Sequence, residues 1–341
     1  MKRILFALLV FLVSAPNLQA EGTFYGDKTV TIVAGFGPGS LFDIWARFIA
    51  QYMGKHIPGN PSFIVQNMTG AGSLVAANYV YGIAKPDGLT LGVIQPVLYF
   101  DQLIGRKEVK FDWAKFTWIG SYTRTASILY VRADVPQKTI EDVRKASEPP
   151  KCGAAGTASI GYYLPNLFNE TLGTKFNIVA GYPSGQQDLA MERGEIQCRA
   201  LTVTAFFGRE PYFRWRKEGF VRVLLQTGRK RDPRLPDVPT IYELMDQYKT
   251  PEGDRRLVSV LVASGDVGYP IVAAPGIQAD RVKTLREAFM KTMSDPEFLA
   301  EAKKKRLEVD PTSGEELEAM AKEVITQPPE VIERMKKLLG K

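Results

Sequence analysis

Short β-branched runs alternate with glycine-bearing turns and amphipathic stretches along most of the chain. "TVTIVAGF" (29–36) reads as a strand and is followed by the turn-forming Gly37, Pro38 and Gly39. Leu41, Ile44, Trp45, Phe48, Ile49 and Tyr52 then recur at i, i+3, i+4, i+7, i+8 and i+11, the spacing of one helical face. "HIPGNP" (56–61) ends that unit. "SFIVQN" (62–67) predicts a second strand, "MTGAGSLVAANYVYGIA" (68–84) a glycine-led helix, and "LTLGVI" (89–94) a third strand. Strands alternating with helices predict a parallel sheet covered on both faces. Right-handed crossovers place every strand-to-helix loop on one edge of such a sheet.

The pattern restarts at "SILYVR" (127–132). A helix follows with Thr139 as its N-cap, then the strands "KCGAAG" (151–156) and "FNIVAGYP" (176–183), each leading into a helix. "IQCRALTV" (196–203) and "VRVLLQT" (221–227) complete the second set. "RKRDPRLPDVP" (229–239) carries three prolines and reads as a crossing between units. The tail from Asp280 is helical, with Ser313 and Glu316 spaced as a capping box. The fold class is therefore α/β, with two mostly parallel sheets in two lobes and a cleft where their loop edges face. No internal repeat or low-complexity tract interrupts it.

The first residues change the picture of where this happens. Lys2 and Arg3, an apolar core from Ile4 to Val13, and small or polar residues to Ala20 follow the order of a secretory signal peptide. Cleavage is expected after about residue 20. The core is shorter than the ~20 residues of a membrane span, and no cysteine follows the cleavage region to carry a lipid. About 320 mature residues exceed what one core usually organises, in keeping with two lobes. The charge of +7 includes the leader's two cations and is spread along the chain. "RKR" (229–231) and "KKKR" (303–306) are the only basic clusters, which argues against nucleic acid. The only cysteines, Cys152 and Cys198, are either a structural disulfide or two buried thiols. A bridge between them would contribute roughly 4 kcal/mol in the chain-entropy model.

Chemistry narrows by elimination. Gly35 and Gly37 begin a dinucleotide-binding pattern, but Pro38 interrupts it, the third glycine is missing, and the second strand ends in Gln66 and Asn67 without an acid. The chain has one histidine, His56, expected to cap the end of the first helix. That excludes a His-rich metal site and leaves a catalytic triad no other base. Asp43, Asp188 and Glu192 are candidate paired carboxylates, set against the plainer expectation of helix first turns and solvated faces. Four loops remain, Gly37–Ser40, Thr69–Ser73, Gly156–Ser159 and Tyr182–Gln186. Each puts glycine beside a helix N-terminus, whose unpaired N–H groups attract anions. Thr69, Ser73, Thr157, Ser159 and Ser184 add hydroxyls, and Tyr162, Tyr163 and Tyr182 are candidate walls.

"VTIVAGFGPGSLFDIWAR", "VQNMTGAGSLVAANYVY", "KPDGLTLG", "FNIVAGYPSGQQDLAMERGEI" and "DPRLPDVPTIYEL", in this order, resemble the Bug family, the substrate-binding receptors of tripartite tricarboxylate transporters. The likeness covers essentially the whole mature chain. It implies a type II periplasmic binding protein that closes two lobes over a small carboxylate. It needs no cofactor or metal, has no catalytic residues, and acts as a monomer alongside membrane permease subunits. The boundaries expected are 1–20 for the leader, 21–128 with 232–341 for lobe 1, and 129–231 for lobe 2. By resemblance the ligand contacts are Phe36, Gly37, Gly39, Ser40, Leu41, Phe42 and Asp43, followed by Asn67, Gly70, Ala71 and Gly72. In lobe 2 they are Gly156, Thr157, Ala158 and Ser159, then Tyr182, Pro183, Ser184 and Gly185, with Thr202 beside Leu201.

Two departures from the family pattern stand out. Ser40-Leu41-Phe42 replaces a glycine-rich run, which is expected to narrow the pocket or favour an apolar or aromatic carboxylate. Leu201 replaces an acid, which argues against a ligand bearing an amino group. Two other functions stay open at this stage: a periplasmic sensor of the same fold serving a signalling system, and an exported hydrolase.

Overall fold

The computed structural model describes residues 24–155, 159–182 and 184–339. The expected leader at 1–20, Gly156, Thr157, Ala158 and Pro183 lie outside the described residues, as does the side chain of Ser184.

The first unit runs β1 (Thr29–Ala34), α1 (Leu41–Tyr52), β2 (Ser62–Asn67), α2 (Leu74–Gly82), β3 (Thr90–Val93), α3 (Leu98–Leu103) and β4 (Thr117–Ser121). The second runs β5 (Ser127–Arg132), α4 (Ile140–Lys145), β6 (Lys151–Ala154), α5 (Ile160–Leu172), β7 (Asn177–Ala180) and α6 (Ser184–Glu192). It continues through β8 (Cys198–Thr202), α7 (Val203–Gly208), α8 (Tyr212–Glu218) and β9 (Val221–Gln226). The chain returns through α9 (Ile241–Gln247), α10 (Glu252–Val267), β10 (Pro270–Ala273), α11 (Ala279–Met293) and α12 (Pro296–Lys304). It ends with β11 (Thr312–Ser313), α13 (Gly314–Ile325) and α14 (Pro329–Leu338).

Two sheets form, ordered β11-β4-β10-β3-β1-β2 and β7-β6-β8-β5-β9. β1, β2 and β3 pair in parallel, as do β6, β7 and β8. Three strands run the other way: β11 against β4, β5 against both β8 and β9, and β10 against both β3 and β4. β5 and β10 are each the first strand after a crossing. A chain that leaves one sheet at its strands' C-terminal edge enters the facing sheet from that edge, so its first strand is reversed. The alternation of strands and helices predicted the parallel units but gave no warning of these two.

The crossings lie side by side. Thr227 N–H donates to Ser127 O at 2.8 Å, Thr125 N–H to Gly265 O at 2.9 Å, and Tyr269 N–H to Thr123 O at 3.1 Å. Gly268, at φ +65°, ends α10 so tightly against the first crossing that a Cβ there would sit 2.1 Å from Thr123 O. The proline-rich stretch 229–239 forms no helix or strand, as predicted. The fully buried Gln226 holds it, its amide donating to Leu235 O and Val238 O and accepting from Asp232 N–H.

Local expectations fare unevenly. Thr139 caps its helix as expected, in a capping box with Asp142 that was not anticipated, and the capping box at Ser313 and Glu316 is present. Cys152 and Cys198 pair across β6 and β8 and are bonded as a disulfide, which settles the choice left open between bridge and thiols. The predicted α1 face is corrected: Trp45, Phe48 and Ile49 are buried, but Leu41 and Ile44 are 39% and 40% exposed. Both lie in the first turn, where the helix emerges at the edge of the sheet. α7 and α8 were not anticipated. Val203, Phe206, Tyr212 and Trp215 anchor them on Ile128 and Tyr130 of β5.

Candidate functional site

β1 ends at Ala34, and the next nine residues wrap around one carboxylate. Asp43 is 3% exposed and accepts from Gly39 N–H at 2.9 Å, Asn67 Nδ2 at 2.8 Å and Arg47 Nε at 3.0 Å. Asn67, the last residue of β2, also donates to Phe36 O at 2.8 Å, while Arg47 donates to Asn67 Oδ1 at 3.1 Å. Burial alone would raise the Asp43 carboxyl; the hydrogen bonds from Arg47, Gly39 and Asn67 outweigh it and hold the group below the usual carboxylate range. Asp43 is thus the loop's internal tie, and Asn67 is its staple to the neighbouring strand. Ser40 N-caps α1 through its hydroxyl, which accepts from Asp43 N–H at 3.2 Å. The amides of Leu41 and Phe42 have no acceptor within the helix. Phe42 stacks on Phe36 at 4.4 Å and meets Tyr269 edge-on at 5.0 Å.

The loop before α2 is strained. Gly70, Ala71, Gly72 and Ser73 all have positive φ, at 139°, 46°, 63° and 78°. For alanine and serine this conformation costs of order 1 kcal/mol or more each, and it persists where the surroundings impose it. The imposing contact is visible. Ser73 is 1% exposed and lies against Gly35, where an added Cβ would meet its hydroxyl at 2.1 Å. The Ser73 hydroxyl accepts from Gln95 N–H at 3.3 Å. Ser73 therefore locks three loops together and does not line a cleft, which corrects its expected role as a ligand-side hydroxyl.

In the second sheet, Ser159 N-caps α5, and its carbonyl accepts from Tyr162 and Tyr163 N–H at 2.9 and 3.1 Å. Tyr182 is held by its N–H on Ala154 O at 3.0 Å and by Gln187 Nε2 on its carbonyl at 2.8 Å. Thr202 ends β8 and caps α7, accepting from Ala205 N–H at 3.3 Å.

Between the sheets lies a cavity of about 120 Å³. Val97 reaches it from the turn after β3, Ser127 and Thr227 from the two crossings, Tyr163 from α5, Thr202 from β8 and Ser264 from α10. Among the described candidate contacts only Thr202 lines it directly. A larger cavity of about 790 Å³ opens elsewhere, beside Phe116, Pro275, Val282 and Arg286, and none of the glycine loops borders it.

The candidate acid–base residues are engaged in holding the fold. Asp188 is buried, paired with Arg199 and accepting from Tyr212 OH at 2.8 Å, so it does not lie on a solvated face as expected. Glu192 accepts from Trp215 Nε1 at 3.0 Å and pairs with Arg214. His56 does not cap α1; its Nε2 lies 3.0 Å from Asp295, which also pairs with Lys55 at 2.8 Å. Among the described residues no cluster of metal-ligating side chains occurs, and no helix is long and apolar enough to cross a membrane.

The family model described as "Tripartite tricarboxylate transporter family receptor" (TctC) matches residues 45–337. The chain belongs to this family. TctC proteins are solute-binding receptors, so the protein is a binding protein and not an enzyme. Similar proteins include a UPF0065 protein from the gbd 5′ region of Cupriavidus necator, 25% identical over 94% of this chain and 92% of its own. Among solved structures, a TctC solute-binding protein from Polaromonas matches at a TM-score of 0.70 with 18% identity, covering 93% of this chain and 99% of that one. Rpa4515 of R. palustris, solved with adipate, matches at 0.55 with 21% identity over 92% and 97% of the two chains. At these identities the structures establish the TctC receptor's two-lobed fold.

Proposed function

We propose that the protein is exported, captures a small carboxylate between its lobes, and delivers it as a monomer to the permease subunits of a tripartite tricarboxylate-type transporter. The observation that supports this is a cavity between the two sheets, lined by Thr202 at the end of β8, Val97 from the turn after β3 and Ser264 of α10. Beside it in our reading stands the N-terminal turn of α1, shaped by the Asp43–Asn67 network at the ends of β1 and β2. Membership of a receptor family and an adipate-bound structure of the same fold support the ligand class.

In this reading the carboxylate is received by main-chain N–H groups of the loop Phe36–Phe42, with Asp43 and Asn67 holding that loop's shape. The strained turn Gly70–Gly72 forms the rim, and Ser159, Tyr182 and Thr202 oppose it from lobe 2. The lobes in this reading are 21–128 with 232–341, and 129–231; β5, which begins at Ser127 and pairs with β8 and β9, favours a boundary just before it.

The test is a thermal-shift screen of the mature protein against mono-, di- and tricarboxylates and amino acids. A ligand at 100-fold over its Kd adds about 2.7 kcal/mol to stability. Silence across the whole carboxylate panel would sink the proposal.

A further inference from the structure

The basic cluster "KKKR" (303–306) does not line the interlobe cavity, and the structure sorts its four cations into two kinds. Lys304 and Lys305 both reach Glu301, at 3.2 and 3.4 Å. Lys303 and Arg306 have no acidic partner among the described residues. These two line an open groove of about 490 Å³. Phe207 of α7 and Phe213 of α8 form its facing wall, and Arg234 of the proline-rich stretch joins Glu308 between the walls. Glu308 accepts from the Thr204 hydroxyl at 3.3 Å and pairs with Arg234 at 2.7 Å. Arg216 lies over the rings of Phe207 and Phe213 at 4.3 and 5.3 Å, again with no carboxylate partner among the described residues. Burial and the charge of Arg234 hold the Arg216 guanidinium below its usual range, the direction that an excess of positive charge produces. A helix C-terminus attracts cations in any case. That accounts for a basic end to α12 but not for Arg306 itself, which stands at φ +56°, where glycine is the ordinary residue. The 790 Å³ cavity makes the contrast, because its cations are already paired: Lys115 with Asp112, Lys283 with Glu287, and Arg286 with Glu315 and Glu318.

We propose that this groove is a docking surface for an acidic segment of a partner protein, whose carboxylates meet Lys303 and Arg306 and whose apolar side chains meet Phe207 and Phe213. Under the receptor reading above, on which the partner's identity rests, that partner is the transporter's membrane subunit. Charge complementarity selects the occupant, since the lining carries three cations, Arg234, Lys303 and Arg306, against the single acid Glu308. Arg234 is already engaged by Glu308 and Asp232, so the anchoring falls to the two unpaired cations. Aromatic rings and arginines are also the residues in which protein interfaces are enriched. A second copy of the chain is the poorer occupant, because the chain is itself net basic, at +7, and copies repel. The two walls belong to different lobes in the receptor reading, so a segment that touches both responds to their separation.

The experiment is fluorescence anisotropy of the mature protein with a labelled peptide carrying glutamates and leucines in a Gly-Ser background. The same peptide with glutamine for glutamate is the neutral control. At low ionic strength the acidic peptide is expected to bind at least about tenfold more tightly than the control. Lys303→Gln/Arg306→Gln should weaken it at least about tenfold, and Phe213→Ala severalfold. Lys304→Gln/Lys305→Gln removes the same charge from neighbouring positions and should change it less than about twofold. All five side chains are exposed, so the variants should melt near the wild-type temperature. Absence of peptide binding, or equal losses in the two double variants, overturns the proposal. So does inorganic pyrophosphate binding that needs Lys303 and Arg306 while the peptide does not bind, which makes the groove a small-anion site. A dimer in sedimentation velocity that Lys303→Gln/Arg306→Gln dissociates overturns it too, and assigns the groove to a second copy. None of these outcomes touches the carboxylate screen or the receptor reading. A silent screen beside specific peptide binding removes the transporter as partner and leaves the docking surface standing.

Discussion

Asn67, at the end of β2, ties down the loop that follows β1. One side-chain amide satisfies both Phe36 O and the Asp43 carboxylate at 2.8 Å, and its carbonyl takes the Arg47 guanidinium. Asn67→Ala leaves a buried carbonyl and a buried charge short of a donor, which costs about 1–3 kcal/mol. The expected result is a lower Tm together with at least about tenfold weaker carboxylate binding by calorimetry. An unchanged affinity would separate this loop from the site. At the back of the same lobe, the Lys55 hydrogen bond pulls the Asp295 carboxyl down to about 2 against its burial, with further help from the amides of Phe298 and Glu297 and from His56. A carboxyl whose folded pKa is depressed contributes stability above its unfolded pKa and loses it as pH falls through the folded value. Asp295→Asn is therefore expected to cost roughly 2 kcal/mol at neutral pH. The gap to wild type should close between about pH 4 and pH 2 in denaturant titrations. A gap that stayed constant with pH would show that the α12 cap, not the charge, carries the effect.

At the scale of elements, the disulfide and the reversed strands organise lobe 2. β6 and β8 are neighbours in parallel, and the bridge joins them at their one registered pair, Cys152 and Cys198. It closes a loop that contains α5, β7 and α6, so the unbridged chain regains considerable freedom. The double variant Cys152→Ala/Cys198→Ala should lose about 2–4 kcal/mol in urea unfolding. Because Thr202 sits four residues beyond Cys198 on β8, ligand affinity should also fall. A variant with full stability would mean that the sheet alone fixes the pair. Strand and helix assignments in this region were legible because β-branched runs and glycine turns are local signals. α7 and α8 were not: Val203–Glu218 is short, aromatic and without periodicity, and its helices are stabilised by packing on β5. The φ-positive run at Ala71 and Ser73 was equally hidden, since the close packing of Ser73 on Gly35 joins residues far apart in the chain.

Over the whole molecule, the crossings form the joint between lobes, and they contain a buried acid. Asp266, at the end of α10, is pushed up to about 6 by burial despite Arg229 and Arg124 nearby. A raised carboxyl has the opposite sign from Asp295. Its ionisation opposes folding above about pH 6, and the penalty is relieved as pH falls from there toward its ordinary value near 3.8. Asp266→Asn is expected to gain on the order of 1–2 kcal/mol at pH 7.5, with the advantage shrinking toward pH 4 in thermal scans. A variant less stable than wild type at pH 7.5 would show that the Arg229 pairing outweighs the desolvation. The sequence by itself determined the α/β alternation, the two units and the linker at 229–239, because hydrophobic period, glycine and proline act within a few residues. Its resemblance to a receptor family pointed to a binding protein, and the family model bears that out. Only the tertiary structure decided that Asp43 ties a loop, that Ser73 is a lock and that β5, β10 and β11 run backwards. Those facts depend on which distant side chains meet, and burial and pairing across the fold are not written in any local window of the chain.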